Sequence, residues 1–357
     1  MSLITLSATE ALSQLDEFDA IIDARSPGEF ALDHLPHAEN WPSLDDEERV
    51  LIGTMYKQVN AFEAKKRGAA LVARNAARHI ETHLLDAPKQ WKPLLYCWRG
   101  GNRSGAQATI LSAIGFRVTL LEGGYKAFRA AMVADIPKQV ARLTWRVVAG
   151  PTGVGKTHLL HALAAQGHQT LDLEGLANHR SSVLGLLPGE AQPSQKHFEM
   201  KLWHALKQLD ADRVVYVESE SKRVGNVTVP ESLIHAMRAS PCIQIQMDVE
   251  HRVALLMRDY AHFVQDTAHF AERLQTLVAL LGHATIDRWL AHLDGGQVQV
   301  VVQELLSVHY DPKYFESMER NFQHYPSAPA VVIDGIDSAS IALGAQRIAD
   351  LTSLGPV

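Results

Sequence analysis

The sequence of 357 residues is poor in cysteine, with only Cys97 and Cys242. Two thiols are too few for a disulfide framework or a four-cysteine zinc site, and such sparing use fits a reducing compartment. No run of about 18 apolar residues occurs, so no membrane span is expected. The opening stretch "MSLITLSATEALSQLDEF" has no basic segment leading into a long apolar one, so a secretory leader is not expected either, and the cytoplasm is the expected location. Low-complexity tracts and internal repeats are also missing. Positive charge is not in excess: 34 Lys and Arg against 40 Asp and Glu give a net charge of −6, so contact with nucleic acid must rest on a local basic patch. Histidine is plentiful at 18 residues, and "HIETH" sets His79 and His83 at i and i+4. That order is not the HExxH of metalloproteases and no third ligand stands nearby, so a solvated helix face is expected and no metal-ligand set is assigned.

What is present reads as alternating strands and helices. In the first part, "AIIDAR", "PLLYC" and "RVTLLEGG" are short apolar strands, and "NAFEAKKRGAALVARNAARHIETHLL" has helical spacing. This alternation predicts a parallel sheet covered by helices. A helix over "GGYKAFRAAMVADIPKQVARL" is expected to break at Pro137, which sets the domains at 1–136 and 137–357. The second domain restarts with "WRVVAG" and continues with strands at "TLDLEG", "RVVYVES", "CIQIQMDV" and "AVVIDG". Before the last of these, residues 251–324 are mostly helical and read as an inserted subdomain.

Between "PLLYC" and the helical "SGAQATILSAIG", the chain turns through "WRGGNR". Glycines allow the tight turn, successive N–H groups of such a loop can converge on an anion, and the following helix adds its positive end. Cys97 at the mouth of this cradle, beside Arg99 and Arg103, is therefore a candidate nucleophile with a lowered pKa, typically about 3.5 to 7.5 in such sites. Cys242, inside an apolar strand, is expected to be a core residue. The stretches "IIDARSPGEF", "HLPHAENWP", "YCWRGGNRSG" and "VTLLEGGYKAF" resemble, in order, the signatures of the rhodanese family over roughly the first 130 residues. That resemblance implies a chalcogen-handling loop around Cys97, with Asp23 and Arg25 either shaping the pocket or closing a strand end as an internal ion pair.

The stretch "GPTGVGKT" fits the phosphate-loop pattern, after a strand and before the helix "HLLHALAAQ". The backbone around Gly150, Gly153 and Gly155 would wrap a phosphate or diphosphate, Lys156 would neutralise it, and the Thr157 hydroxyl could ligate Mg²⁺. Glu218 and Asp172 are the candidate acids behind that ion, although either could equally cap a helix. Arg180, Lys222 and Arg223 stand in loops suited to the carboxyl edge of the sheet, where open α/β sheets bind ligands, or else in ordinary solvated loops. Arg252, Arg258, Arg273 and Arg288 could form a phosphate track or simply lie on solvated helix faces. Trp98 could stack on an unstacked base or anchor its loop in the core.

The rhodanese-like segment, the phosphate loop, "DLEGLANHRSSVLG" and "VESESKRVGNVTVP" together resemble the tRNA 2-selenouridine synthases over nearly the full length. The fold this implies is α/β: an N-terminal rhodanese-like parallel-sheet domain, then a P-loop NTPase-like α/β domain with a helical insertion. The activity implied is geranylation of wobble 2-thiouridine in tRNA by geranyl diphosphate, followed by replacement of the sulfur with selenium from selenophosphate. Both donors are expected as co-substrates, with no tightly bound cofactor, and an enzyme supplying selenophosphate is an expected partner. Cys97 would either carry selenium or position selenophosphate. An ATP-dependent sulfurtransferase and a catalytically idle binding protein are the competing expectations.

Overall fold

A computed structural model describes residues 3–180 and 191–353, so positions 181–185 of "DLEGLANHRSSVLG" lie outside the described residues. The chain forms two compact units, one from residues up to Lys138 together with Pro193–His204, the other from Gln139–Gln192 and from Ala205 onward.

The first unit is built on β1 (Ile4–Leu6), β2 (Ala20–Asp23), β3 (Ala38–Asn40), β4 (Pro93–Tyr96) and β5 (Thr119–Leu121). All pairings are parallel, in the order β1-β5-β4-β2-β3. Every residue of the central β4 is buried, as its unbroken apolar run requires. The edge strands β1 and β3 are three residues long and partly exposed, and no apolar run announces them. Ile22, Trp41, Leu95, Leu111 and Phe116 fill one side of the sheet. The solvated face expected here holds for His83, which is exposed, while His79 is half-buried; both rings stack on Trp41, and His79 Nε2 lies 3.1 Å from the Pro42 carbonyl oxygen.

The expected break at Pro137 does not occur, because the helix Gly124–Ala141 runs through it. Phe128, Met132, Ile136 and Val140 recur every fourth position and are all buried, so the apolar face continues past the proline. The ring removes one donor, and the carbonyl it leaves unbonded belongs to the exposed Val133. Nor is the division of the chain a single cut: Pro193–His204 folds with the first unit, where the fully buried Trp203 donates its indole N–H to Asp135 at 3.0 Å and meets Phe128 edge to face.

The second unit carries β6 (Thr144–Ala149), β7 (Gln169–Leu171), β8 (Val214–Glu218), a hairpin of β9 (Arg223–Val224) and β10 (Val227–Thr228), then β11 (Cys242–Gln246) and β12 (Ala330–Val332). The main sheet is parallel in the order β12-β11-β6-β8-β7. β6, which leads into the phosphate loop, is therefore central, and β8 beside it brings Glu218 into register with Val148. Cys242 is a core residue as expected; burial pushes its thiol up to about 12. Between β11 and β12 the helices from Val249–Asp259 to Asp311–Asn321 enclose a core of their own around Phe270, Leu274, Trp289 and Val301. No helix among the described residues is long and apolar enough to cross a membrane.

Candidate functional site

In the first unit, the loop after β4 closes around the Cys97 sulfur. Sγ accepts the Gly101 N–H at 3.2 Å and the Ser104 hydroxyl at 3.2 Å. Burial alone would raise the thiol, but the bonds from the Ser104 hydroxyl and from the N–H groups of Ser104 and Gly101, with the charge of Arg103, outweigh it and hold Cys97 below its ordinary value. The loop rests on the second glycine of "EGGY". Gly124, at φ +59°, lets the backbone pass against the Cys97 carbonyl and the Gly100 nitrogen, and Tyr125 N–H donates to that carbonyl at 2.8 Å. A Cβ there would collide with the loop.

Beside the loop lies a cavity of about 360 Å³, lined by Arg25, Arg49, Arg103 and Lys196 against Glu29 and Asp33. Among the described lining residues four cations stand against two carboxylates, a balance that suits an anion. Arg103 donates to Glu29 at 2.6 Å, and Arg49 shares the same carboxylate at 3.2 Å. Asp23 and Arg25 form the internal ion pair, and Arg25, not Asp23, borders the cavity. Their ion pair at 2.6 Å is fully buried, yet the guanidinium also borders the cavity and lies 4.0 Å from the Tyr125 ring centre. Trp98 lines the cavity too, stacked on Tyr125 at 5.4 Å with the Lys196 ammonium 5.9 Å from its ring centre. Cys97 itself is 3 % exposed and does not line the cavity. Arg99 departs from expectation: it is exposed and borders no part of this space.

In the second unit, a cleft of about 470 Å³ opens over the phosphate loop. Gly153 and Gly155 adopt φ of +85° and +78°, and Gly155 caps the helix Lys156–Ala165. Lys156 Nζ donates to the Gly150 carbonyl at 2.8 Å. The Thr157 hydroxyl donates to Glu174 at 3.1 Å, and carboxylate oxygens of Glu174, Glu218 and Glu220 lie within 4.8 Å of one another, the one cluster of three or more metal-ligating side chains among the described residues. Glu218 is fully buried; burial first, then the charges of Glu174, Glu220 and Asp172, raise its carboxyl well above the ordinary range against the pull of Lys156. Its Oε1 accepts the Glu174 N–H at 3.3 Å, while Oε2 has no partner among the described residues. Clustered hard oxygen donors with one orphaned buried oxygen fit a hydrated divalent cation such as Mg²⁺.

The other expected members of this site divide. Asp172 is not part of the cluster around Thr157: it caps the helix Leu173–Ala177, accepting the Gly175 N–H at 2.7 Å and meeting His161 at 3.0 Å. Arg180 borders the cleft with its guanidinium 4.8 Å from the Tyr260 ring centre. Arg223 does not; like Lys222 it is exposed, in or beside the β9 hairpin strand. The phosphate track also fails at Arg252, which is 7 % exposed and holds the Thr152 carbonyl at 2.7 Å and Asp311 at 2.6 Å, whereas Arg288 is exposed and pairs with Glu304 at 2.6 Å. Arg238 and Lys313 line the cleft and were not singled out by any motif.

An apolar slot of about 40 Å³ adjoins this cleft. Thr152, Leu256, Tyr260 and Tyr310 border both spaces, whereas Met257, Phe270, Val298 and Leu305 border the slot alone. A π-helical turn, Leu306–Tyr310, turns Leu306 and Tyr310 into its wall.

Comparison with known proteins gives two family matches. The rhodanese-like domain covers residues 7–131, and the tRNA 2-selenouridine synthase AAA domain covers residues 143–275. Among similar proteins, a tRNA 2-selenouridine synthase from Nitrosomonas europaea is 38 % identical over 244 residues, 67 % of this chain and 63 % of the relative. One from Sulfurovum is 32 % identical over 351 residues, 87 % of this chain and 94 % of the relative, and one from Cupriavidus necator is 34 % identical over 325 residues, 83 % and 87 %. The chain thus spans just under two thirds of the first relative and nearly all of the second.

Proposed function

The chain belongs to the tRNA 2-selenouridine synthase family, and from that premise we propose that it is a cytoplasmic transferase that geranylates the wobble 2-thiouridine of tRNA and then exchanges the alkylated sulfur for selenium. The observation that carries the choice of donor is the apolar slot sharing Thr152 and three further residues with the phosphate cleft. A nucleoside triphosphate has no apolar arm to enter such a slot, whereas geranyl diphosphate joins a diphosphate to a ten-carbon chain.

In the first step the thio sulfur attacks carbon 1 of the geranyl group, the carbon–oxygen bond breaks, diphosphate leaves, and the N3 proton of the base passes to solvent. The N–H groups around Gly153 and Gly155, with Lys156, receive the charge that develops on the leaving group. Thr157, Glu174, Glu218 and Glu220 would hold Mg²⁺, which would add positive charge on that leaving group. In the second step selenium bonds to carbon 2 of the base, the carbon–sulfur bond breaks, and geranyl thiol departs. Selenophosphate already holds selenium at the selenide level, so this exchange needs no oxidant, and the phosphorus–selenium bond is hydrolysed to phosphate. The cationic cavity beside Cys97 supports a site for the selenophosphate anion, and an enzyme making that unstable donor is the expected partner.

The test is mass spectrometry of wobble nucleosides after incubating the protein with 2-thiouridine-containing tRNA, geranyl diphosphate and Mg²⁺, with and without selenophosphate. A geranylated nucleoside that becomes 2-selenouridine only when selenophosphate is added is the expected result. An unchanged nucleoside in both arms, with ATP turnover dependent on Lys156, would replace this reading with a nucleotide-driven sulfurtransferase.

A further inference from the structure

The geometry points to Phe270 as the residue that sets how long a prenyl chain the phosphate-loop unit accepts. This rests on the prenyl diphosphate reading above and deepens it.

The slot has a near end and a far end. Its near end is the phosphate loop itself, at Thr152, with Leu256, Tyr260 and Tyr310, all of which also face the phosphate cleft. Its far wall includes Phe270, Val298 and Leu305, which face no part of the cleft and belong to the buried core of the helical insertion. Phe270 is 2 % exposed and, among the described residues, is the one aromatic side chain that lines the slot without also bordering the cleft. It is fixed by the helix Thr267–Gln275, whose first turn is capped by Asp266 accepting the His269 N–H at 2.9 Å.

A diphosphate held by the loop directs its carbon chain from Thr152 toward this wall. The slot is narrow: at about 40 Å³ it has room for only a few waters, on the measure by which each needs about 10–15 Å³. The first carbons of a geranyl chain therefore lie in the cleft and the last ones meet the Phe270 ring. A chain one isoprene unit longer collides with it. Phe270→Ala deletes slightly more carbon than that unit adds, so the shortened wall should admit it.

The experiment compares kcat/KM for geranyl and farnesyl diphosphate, with 2-thiouridine-containing tRNA as acceptor, in the wild type, Phe270→Ala, Phe270→Leu and Val302→Phe. The farnesyl-to-geranyl ratio should rise at least about tenfold in Phe270→Ala, the scale of a few buried carbons in an apolar pocket. It should rise less in Phe270→Leu and fall in Val302→Phe, which adds a ring at Val302, a further residue lining the slot. Should Phe270→Ala not fold, the other two variants decide by the opposite signs of their shifts. An unchanged ratio in folded variants of a wild type that does transfer geranyl overturns the role of Phe270 alone. A wild type that transfers neither prenyl group overturns it together with the reading on which it rests.

Discussion

Replacing Ser104 with alanine tests whether the loop really primes Cys97. The substitution removes one hydroxyl donor at 3.2 Å from Sγ and leaves the N–H groups of Ser104 and Gly101 and the charge of Arg103 in place. A hydrogen bond to a charged acceptor is worth about 1.5–3 kcal/mol, and one pKa unit corresponds to about 1.4 kcal/mol. With two donors remaining to compensate, the lower end applies: the thiolate loses about 1.5 kcal/mol of stabilisation and the Cys97 pKa rises. Below both values the thiolate fraction then falls about tenfold, but a more basic thiolate is also a better nucleophile, with a Brønsted slope of about 0.4–0.5. Alkylation should consequently slow by only about three- to fourfold. The assay is iodoacetamide labelling across pH, followed peptide by peptide by mass spectrometry, with Cys242 as the internal control because burial keeps its thiol protonated. Because the folded pKa is depressed, the stabilisation it contributes is complete above about 8.5, the unfolded value, and is lost as pH falls through the folded value. Ser104→Ala should therefore lower stability more at pH 9 than at pH 6. Superimposable labelling profiles for the two proteins would refute this account of the thiol.

Lys156→Ala should abolish geranylation yet leave selenium exchange on a tRNA geranylated beforehand, while Cys97→Ala should do the reverse; equal loss of both steps in either variant would reject the division of labour. Gly124→Ala should destabilise the first unit by more than about 2 kcal/mol, because a non-glycine residue at left-handed φ costs about 1–2 kcal/mol before the clash with the Cys97 carbonyl is added; urea unfolding measures it, and a wild-type midpoint would contradict it. Glu218→Gln keeps the shape of a carboxyl that burial already disfavours as an anion, so its melting temperature without metal should stay near the wild-type value. Millimolar Mg²⁺ should then raise the wild-type melting temperature by about 2–4 °C and leave the variant unmoved, and an equal rise in both would exclude Glu218 from the ion's site.

Both loops were legible in the sequence because each is a local event: a strand, a glycine-rich turn and a helix, contiguous in the chain. What surrounds them was not. Glu29 and Asp33 reach the cysteine cavity because β2 pairs with β4, and Lys196 reaches it from nearly a hundred residues downstream. Adjacency also misled. Arg99 is two residues from Cys97 yet exposed, while Arg103, at the start of the helix Asn102–Ile114, turns toward Glu29. Asp172 and Glu174 show the same effect within one turn: the residue before a helix spends its carboxylate on that helix's N–H groups, as capping demands, and the one two positions on meets Thr157. A strand-end acid can thus be recognised from sequence, but which of two neighbours faces the ligand depends on where the helix begins.

The helical insertion shows why the phosphate loop cannot be understood from its own eight residues. Arg252, in the first helix after β11, donates twice to the Thr152 carbonyl and twice to Asp311. Asp311 opens the helix that follows the π-helical turn carrying Tyr310. The same loop carbonyl is therefore fixed by the insertion, through a guanidinium almost out of solvent, and the insertion's wall begins at the same threonine. A consensus phosphate loop encodes the cradle for the anion; the residues that tie it to an apolar wall come from about a hundred and a hundred and sixty positions later. A change that widens the slot at Tyr310 or Leu306 also loosens the Asp311 end of this bridge, so donor-chain specificity and phosphate affinity in this unit should not vary independently.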